Sequence, residues 1–205
     1  FGDSIIYDKV HMTDLTTKST QMVKDSTFHL TQLSIDKKGG KLAFLALDKK
    51  TDSIRKPYEL YLKTEQDSNC SSITRGMTTF LTENGLLSAD RKITWSESGK
   101  RLFFGFAPVI ATKDTTLLDD EFVNVEIWHH DSQRLYTQME ATLDTDRKQS
   151  YAVMYDIPKK EFLQLETPDA DKSLTSLKGD GRYVLQIRNK PYQKEVTWLG
   201  ESRKD

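Results

Sequence analysis

The chain has 205 residues, of which 36% are hydrophobic and 30% charged, so it has room for one large domain or two small ones and is too apolar for a disordered chain. Its 30 basic and 31 acidic residues leave a formal net charge of −1, which excludes a basic field for nucleic acid or an anionic membrane surface. A single cysteine, Cys70, excludes an internal disulfide and every cysteine-based zinc or iron–sulfur framework. No stretch approaches the ~20 apolar residues of a membrane span.

Strand patterns dominate the first half of the chain. Residues 7–14 predict an edge strand that leads into a polar turn at 16–18. Residues 42–47 and 102–106 are continuous apolar runs, which are typical of strands covered on both faces. Between them, residues 58–63 separate into an apolar and a mixed face, as a half-buried strand does.

The second half continues these patterns. Residues 123–127 alternate in polarity, which indicates a half-buried strand. Residues 151–155 and 162–165 predict a hairpin joined around 157–160. Residues 183–187 are a third apolar run and are predicted to be covered on both faces like the first two.

One segment has a helical period. Three apolar side chains recur every four residues: Leu135, Met139 and Leu143. Asp131 and Ser132 precede them and have the side-chain oxygens of N-terminal caps. We therefore predict a short helix or an irregular excursion over residues 135–147.

One short phrase occurs three times, each time with a glycine and apolar neighbours at fixed distances. The aligned glycines are Gly39, Gly99 and Gly181. The apolar residues four positions before them are Ile35, Trp95 and Leu177, and those three positions after them are Leu42, Leu102 and Val184. Three unrelated hairpins that each need a turn glycine are the alternative, but the matched apolar positions on both sides favour a repeat.

Turn chemistry agrees with a chain of short strands. Left-handed turn residues are predicted at Gly39-Gly40, Asn84-Gly85 and Asp180-Gly181. Several short antiparallel strands in each repeated unit favour propeller blades over a sandwich. The predicted fold is all-β: a partial β-propeller with about two complete blades plus partial ones, and one short helix.

We interpret residues 1–205 as a single propeller fragment. The approximate units are a partial blade over 1–27, a blade over 28–90, a blade with an insertion over 91–172, and a partial blade over 173–205. Both ends look trimmed, so sheet faces are expected to lie uncovered. We expect such faces to pair and give a homodimer.

The sequence also resembles a known family. Residues 93–102, with Trp95 and Ser98-Gly99-Lys100, resemble the inner-strand motif of TolB-like, WD40-like and prolyl-oligopeptidase-type propellers. The order of several later segments resembles the N-terminal propellers of bacterial, Bacteroidetes-like S9 serine peptidases. These segments are residues 125–131, Arg134-Leu135, Arg147, residues 150–155, Gln164-Leu165, Lys190-Pro191-Tyr192 and Trp198. The resemblance covers most of residues 28–205. Gly40 and Gln186 depart from the pattern, which expects a basic and an aromatic residue there.

This resemblance implies a function without catalysis in the chain itself. Members carry a C-terminal α/β-hydrolase domain with the catalytic serine, and their propeller restricts access to short peptide substrates. No Gly-x-Ser-x-Gly nucleophile elbow occurs in the chain, so no catalytic residue is carried over, and no residue is assigned to peptide binding. The resemblance implies a periplasmic or secreted protein. The alternatives are a stand-alone TolB-like protein-binding scaffold and, less favoured, a propeller glycosidase.

No cofactor or metal site is predicted. His129 and His130 precede Asp131, but adjacent strand side chains point to opposite faces and cannot easily converge on one ion. The acidic run 119–121 lacks the alternating oxygen ligands and the glycine of a calcium loop, so it is interpreted as a solvated loop. Four aromatic residues are predicted to be core rather than a ligand box: Trp95, Phe103, Phe104 and Phe106.

Overall fold

The computed structural model describes residues 9–24, 28–48, 57–67, 69–74, 85–108, 132–170, 172–188, 190–195 and 200. The predicted strand over 123–127 and the turn residue Asn84 lie outside these ranges, as do the residues of the family resemblance at 125–131 and at Trp198.

Short strands make up most of the described elements. The strands are β1 (Val10–Thr13), β2 (Thr20–Lys24), β3 (Phe28–Ile35), β4 (Leu42–Asp48), β5 (Glu59–Lys63), β6 (Ser71–Ser72), β7 (Gly85–Ser88), β8 (Thr94–Trp95), β9 (Arg101–Pro108), β10 (Tyr151–Asp156), β11 (Glu161–Gln164), β12 (Lys172–Thr175) and β13 (Val184–Ile187). The α-helix of the described residues is α1 (Tyr136–Arg147), and short 3₁₀ turns occur at Leu177–Gly179 and Lys190–Glu195.

These strands form antiparallel sheets that follow one another along the chain. The β1-β2 hairpin comes first, followed by a four-stranded sheet in the order β3-β4-β5-β6. A five-stranded sheet comes next, in the order β11-β10-β9-β7 with β8 also paired to β9, and then the β12-β13 hairpin. The predicted fold class, an all-β, propeller-like chain with one short helix, is thus confirmed, while the bounds of the blade units stay a prediction.

The core lies between successive sheets. On β4, Ala43 and Leu45 belong to a buried cluster with Leu102 and Phe104 of β9, so this face of the four-stranded sheet packs on the five-stranded one. Leu42, Phe44 and Ala46 of the other face pack with Val10 and Val23 of the first hairpin. The prediction that residues 42–47 are covered on both faces is therefore correct. In residues 102–106, Leu102, Phe104 and Phe106 are buried, while Phe103 is half-buried.

The third apolar run differs from this pattern. Tyr183 is 70% exposed and Leu185 67% exposed, so the prediction that residues 183–187 are covered on both faces is wrong. β13 pairs with β12 alone among the described strands, and no described sheet packs on the outer face of this hairpin. The sequence of a strand shows that its side chains are apolar, but both faces of the strand are buried only where other elements pack on each side of its sheet.

The predicted left-handed turn glycines agree with the structure at Gly39 but not at Gly85 or Gly181, neither of which has a positive φ. Gly39 and Gly99 have φ values of +78° and +66°. In the third copy the left-handed glycine is Gly179, with φ +93°, instead of Gly181. A Cβ on Gly179 would lie 2.7 Å from the ring of Phe103, so this position needs glycine for its space as well as for its backbone conformation.

The predicted helix is present, but its cap is not the predicted one. Leu135 is the N-cap residue, and its N–H donates to Gln138 Oε1 at 3.1 Å. Asp131 lies outside the described residues, and Ser132 is three residues before the N-cap position. The helix buries none of its residues, and Leu135 and Leu143 are about half exposed, so it lies on the surface.

Candidate functional site

Three turns, which we call the turn ladder, connect the sheets at one edge. They are residues 36–41 between β3 and β4, residues 96–101 between β8 and β9, and residues 176–181 before β13. Hydrogen bonds link the first turn to the second and the second to the third. The repeat in the sequence therefore corresponds to a physical contact between equivalent places.

The first two turns are built alike. Asp36 N–H donates to the Lys41 carbonyl at 2.9 Å, and Gly39 N–H donates back to the Asp36 carbonyl at 3.0 Å. Ser96, Arg101 and Gly99 repeat the same two bonds, each at 2.9 Å. A side-chain oxygen completes each turn, because Asp36 Oδ1 accepts from Lys41 N–H at 2.7 Å and Ser96 Oγ from Arg101 N–H at 3.2 Å. Aspartate and serine suit this position since both accept from nearby backbone.

A basic residue two positions after each of the first two glycines reaches to the next turn. Lys41 Nζ donates to the Gly99 carbonyl at 2.5 Å. Arg101 donates to the Gly179 carbonyl at 2.9 Å and to the Gly181 carbonyl at 2.7 Å. Neither Lys41 nor Arg101 was singled out from the sequence. Their regular place after the glycine was the available signal.

Carboxylates strengthen the second link. Asp180 accepts from both Ser98 N–H and Ser98 Oγ, each at 2.6 Å, and the bond from the Ser98 side chain is the main reason that the pKa of Asp180 lies below its ordinary value. Glu97 pairs with Lys37 of the first turn and, at 3.4 Å, with Lys178 of the third. The bond from Lys37 lowers the pKa of Glu97, so this carboxylate stays charged between two lysines.

A cleft of about 900 Å³ opens beside the ladder, between the four-stranded and five-stranded sheets. We call it the inter-sheet cleft. Its apolar lining consists of Leu62 and Ile73 from the four-stranded side and of Tyr155 and Phe162 from the five-stranded sheet. The rings of Tyr155 and Phe162 lie 4.5 Å apart, and burial raises the pKa of Tyr155. Ser72 also lines the cleft, but its Oγ is buried and has no hydrogen-bond partner among the described residues.

Charged groups of both signs border the cleft. Two of the acids are already engaged: Asp36 accepts from Lys41 N–H, and Asp67 accepts from the Thr64 side chain at 2.6 Å. The bond from Thr64 is the main reason for the lowered pKa of Asp67, and Lys63 and Lys160 lower it further. Lys38 and Lys100 make no ion pair with a described residue. Four lysines and three carboxylates line the cleft, so its charges nearly balance.

A second cavity of about 630 Å³ lies on the other side of the loop 64–67. Glu65 lines both cavities, and its side chain occupies the space that a Cβ on Gly40 would need. A basic residue at Gly40, as the family pattern expects, would displace Glu65. The glycine at position 40, where the family pattern expects a basic residue, thus leaves room for the side chain of Glu65.

The metal-ligand candidates considered in the sequence fall outside the described residues. The residues at 119–121 and His129, His130 and Asp131 lie outside the described ranges. The described residues contain no group of three or more side chains that could hold a metal ion. No helix in the described part of the chain has the length and apolar character to cross a membrane.

The aromatic candidates take core positions. Phe104 and Phe106 are buried, and Trp95 is half-buried against the same cluster. Phe103 packs on Gly179 of the third turn. This aromatic group therefore packs the sheets together rather than lining the inter-sheet cleft.

Comparison with known proteins finds a likeness to solved structures. No family model and no curated protein matches the chain. Among solved structures, the chain is similar to the tricorn protease in its crystal structure, with a TM-score of 0.34 and 9% sequence identity over 96% of this chain. The chain spans about a quarter (24%) of the length of that protein.

Proposed function

We propose that this chain is the non-catalytic propeller segment of a periplasmic or secreted S9-type serine peptidase, and that it gates and positions short peptides for a hydrolase domain that these 205 residues do not include. The observation that carries the proposal is the turn ladder, in which serial antiparallel sheets are tied together at equivalent places. The family resemblance of the sequence supplies the peptidase context.

The physical role follows from how firmly successive sheets are held. Lys41 and Arg101 each donate a charge-assisted hydrogen bond to the next turn, and such bonds are worth about 1.5–3 kcal/mol each. Sheets joined in this way resist parting, so a substrate must pass through a fixed opening. The contribution of the segment is size exclusion and positioning, without bond breaking.

The test uses the parent protein encoded by the gene that contains this segment. We expect the gene to encode a Gly-x-Ser-x-Gly elbow downstream and the parent to react with a fluorophosphonate probe, while residues 1–205 alone do not react. The variants Lys41→Gln and Arg101→Gln, combined, weaken the ladder. They should raise cleavage of a long unfolded polypeptide relative to a short peptide roughly tenfold, since two charge-assisted bonds are lost.

The matched control is Lys92→Gln, because Lys92 is an exposed lysine before β8 that is neither in the ladder nor in the inter-sheet cleft. Its substrate-size profile should equal that of the unmodified parent. A gene that encodes no nucleophile elbow would remove the peptidase role and leave the alternative, a protein-binding scaffold. An unchanged size profile in the ladder variant would contradict gating by this segment.

A further inference from the structure

We infer that residues 172–188, which comprise β12, the third turn and β13, form a strap that detaches from the five-stranded sheet and unfolds by itself while the rest of the chain stays folded. We call these residues the strap. Its motion belongs to the chain itself and does not depend on a hydrolase domain, so it lies beyond the proposed gating role.

The side chains of the strap are arranged so that little apolar surface is buried against the sheet. Leu174 and Leu185 lie on the face that points away from the five-stranded sheet, and both are mostly exposed. Within the strap only two glycines are buried, Gly179 and Gly181. Side chains alternate between the faces of a strand, and three of the four on the face toward the sheet are polar, as the pairs Ser173–Gln186 and Thr175–Val184 show.

The other junction of the five-stranded sheet has an apolar core. There it shares a buried cluster with the four-stranded sheet, which includes Ala43, Leu45, Leu102 and Phe104. On the side of the strap, by contrast, the ring of Phe103 meets Gly179, which has no side chain. Parting the first junction would expose buried apolar surface, whereas an element with few buried apolar contacts opens at a lower free energy than the whole domain. The strap should therefore open first.

Hydrogen bonds to charged groups hold the strap in place. Arg101 donates to two carbonyls of the third turn at 2.9 and 2.7 Å. Asp180 accepts from Ser98 N–H and Oγ, and Glu166 accepts from Ser173 Oγ at 2.7 Å. Water replaces such bonds when they open, so their net contribution is small compared with their strength. Because a two-stranded hairpin is only marginally stable alone in water, a strap that loses these bonds should unfold as it detaches.

The experiment is amide hydrogen exchange of residues 1–205 at pH 7, followed by NMR, without urea and at low urea concentrations. Amides of β12 and β13 should share one protection factor, at least about tenfold below that of β4 and β9 amides. It should also depend less on urea, because opening of the strap exposes little surface. Arg101→Gln should lower the protection of the strap by about a further tenfold, since two charge-assisted bonds are lost, and should leave β4 unchanged.

Lys41→Gln is the matched control, because Lys41 makes the same kind of bond at the preceding junction, where the apolar core also holds the sheets. It should leave the protection of the strap unchanged. Equal protection and equal urea dependence in β12, β13, β4 and β9 would overturn the inference. So would an effect of Arg101→Gln that is spread evenly over all strands, or an equal effect of Lys41→Gln on the strap. A complete lack of protection in β12 and β13 would show that the strap is not docked, and would overturn it as well.

Discussion

At the scale of single residues, the link between the second and third turns depends on the carboxylate of Asp180. It accepts from two donors of Ser98 at 2.6 Å each, and these bonds hold its pKa below the ordinary value. Both donors favour the charged form, whereas a protonated carboxyl would accept from them less well. The stability of this link should therefore depend on pH.

We expect Ser98→Ala to destabilise the chain at pH 7 by about 0.5–1 kcal/mol, a value discounted for the exposure of the pair. The folded pKa of Asp180 is below the unfolded one, so its stabilising effect is complete above the unfolded pKa of about 4 and is lost as pH falls through the folded pKa. The difference between variant and parent should thus shrink at pH 2–3, as urea unfolding at both pH values would measure. Asp144→Asn, on the exposed helix, should show no such difference. If the difference in unfolding free energy between Ser98→Ala and the unmodified chain stays constant with pH, the role of Asp180 is refuted.

At the scale of secondary structure elements, one buried carboxylate joins β10, β12 and the segment before β8. Glu166 is 2% exposed. It accepts from Arg91 at 2.5 Å and from Ala152 N–H at 2.9 Å, and its other oxygen accepts from Ser173 Oγ at 2.7 Å. Every partner is a donor, so the site requires two acceptor oxygens.

Glu166→Gln should lower the free energy of unfolding by roughly 2–4 kcal/mol, because the amide nitrogen cannot accept and the Arg91 charge loses its counter-ion. Chemical denaturation measures this loss. Glu161→Gln, at an exposed position of β11, is the control and should change stability by less than about 0.5 kcal/mol. Equal effects of the two substitutions would show that Glu166 has no special role.

The same elements show how far the sequence predicts the fold. Apolar runs and turn residues located β4, β5, β9 and the β10-β11 hairpin correctly, since strand period and turn chemistry act over a few residues. The position of the third left-handed glycine was missed because Gly179 is set by its approach to Phe103, far away in the chain. The inter-sheet cleft was missed for the same reason: Ser72, Lys100 and Phe162 come together only in the fold.

At the scale of the whole molecule, the four-stranded sheet presents one face to the first hairpin and the other to the five-stranded sheet. On the β12-β13 hairpin, Ser173 and Gln186 bond to Glu166 and to the Leu165 carbonyl, so this face meets the five-stranded sheet. Leu174 and Leu185 are paired across the opposite face and are 58% and 67% exposed. The corresponding face of β4 is covered by the next sheet, so we expect the exposed leucines to be a site for self-association.

We expect the average molar mass of residues 1–205 to rise with concentration in sedimentation or light scattering, as two copies cover this face. Leu185→Glu should weaken the association at least about tenfold, because pairing would then bury a carboxylate without a partner, at a cost above about 1.4 kcal/mol. Leu15→Glu places the same charge on a leucine that is 89% exposed in the first hairpin, and should leave association unchanged. Since the β12-β13 face is already open to water, Leu185→Glu should also keep the thermal midpoint of the monomer. A chain that stays monomeric at all concentrations, or that associates equally well with either substitution, would mean that this face has no affinity for a second copy.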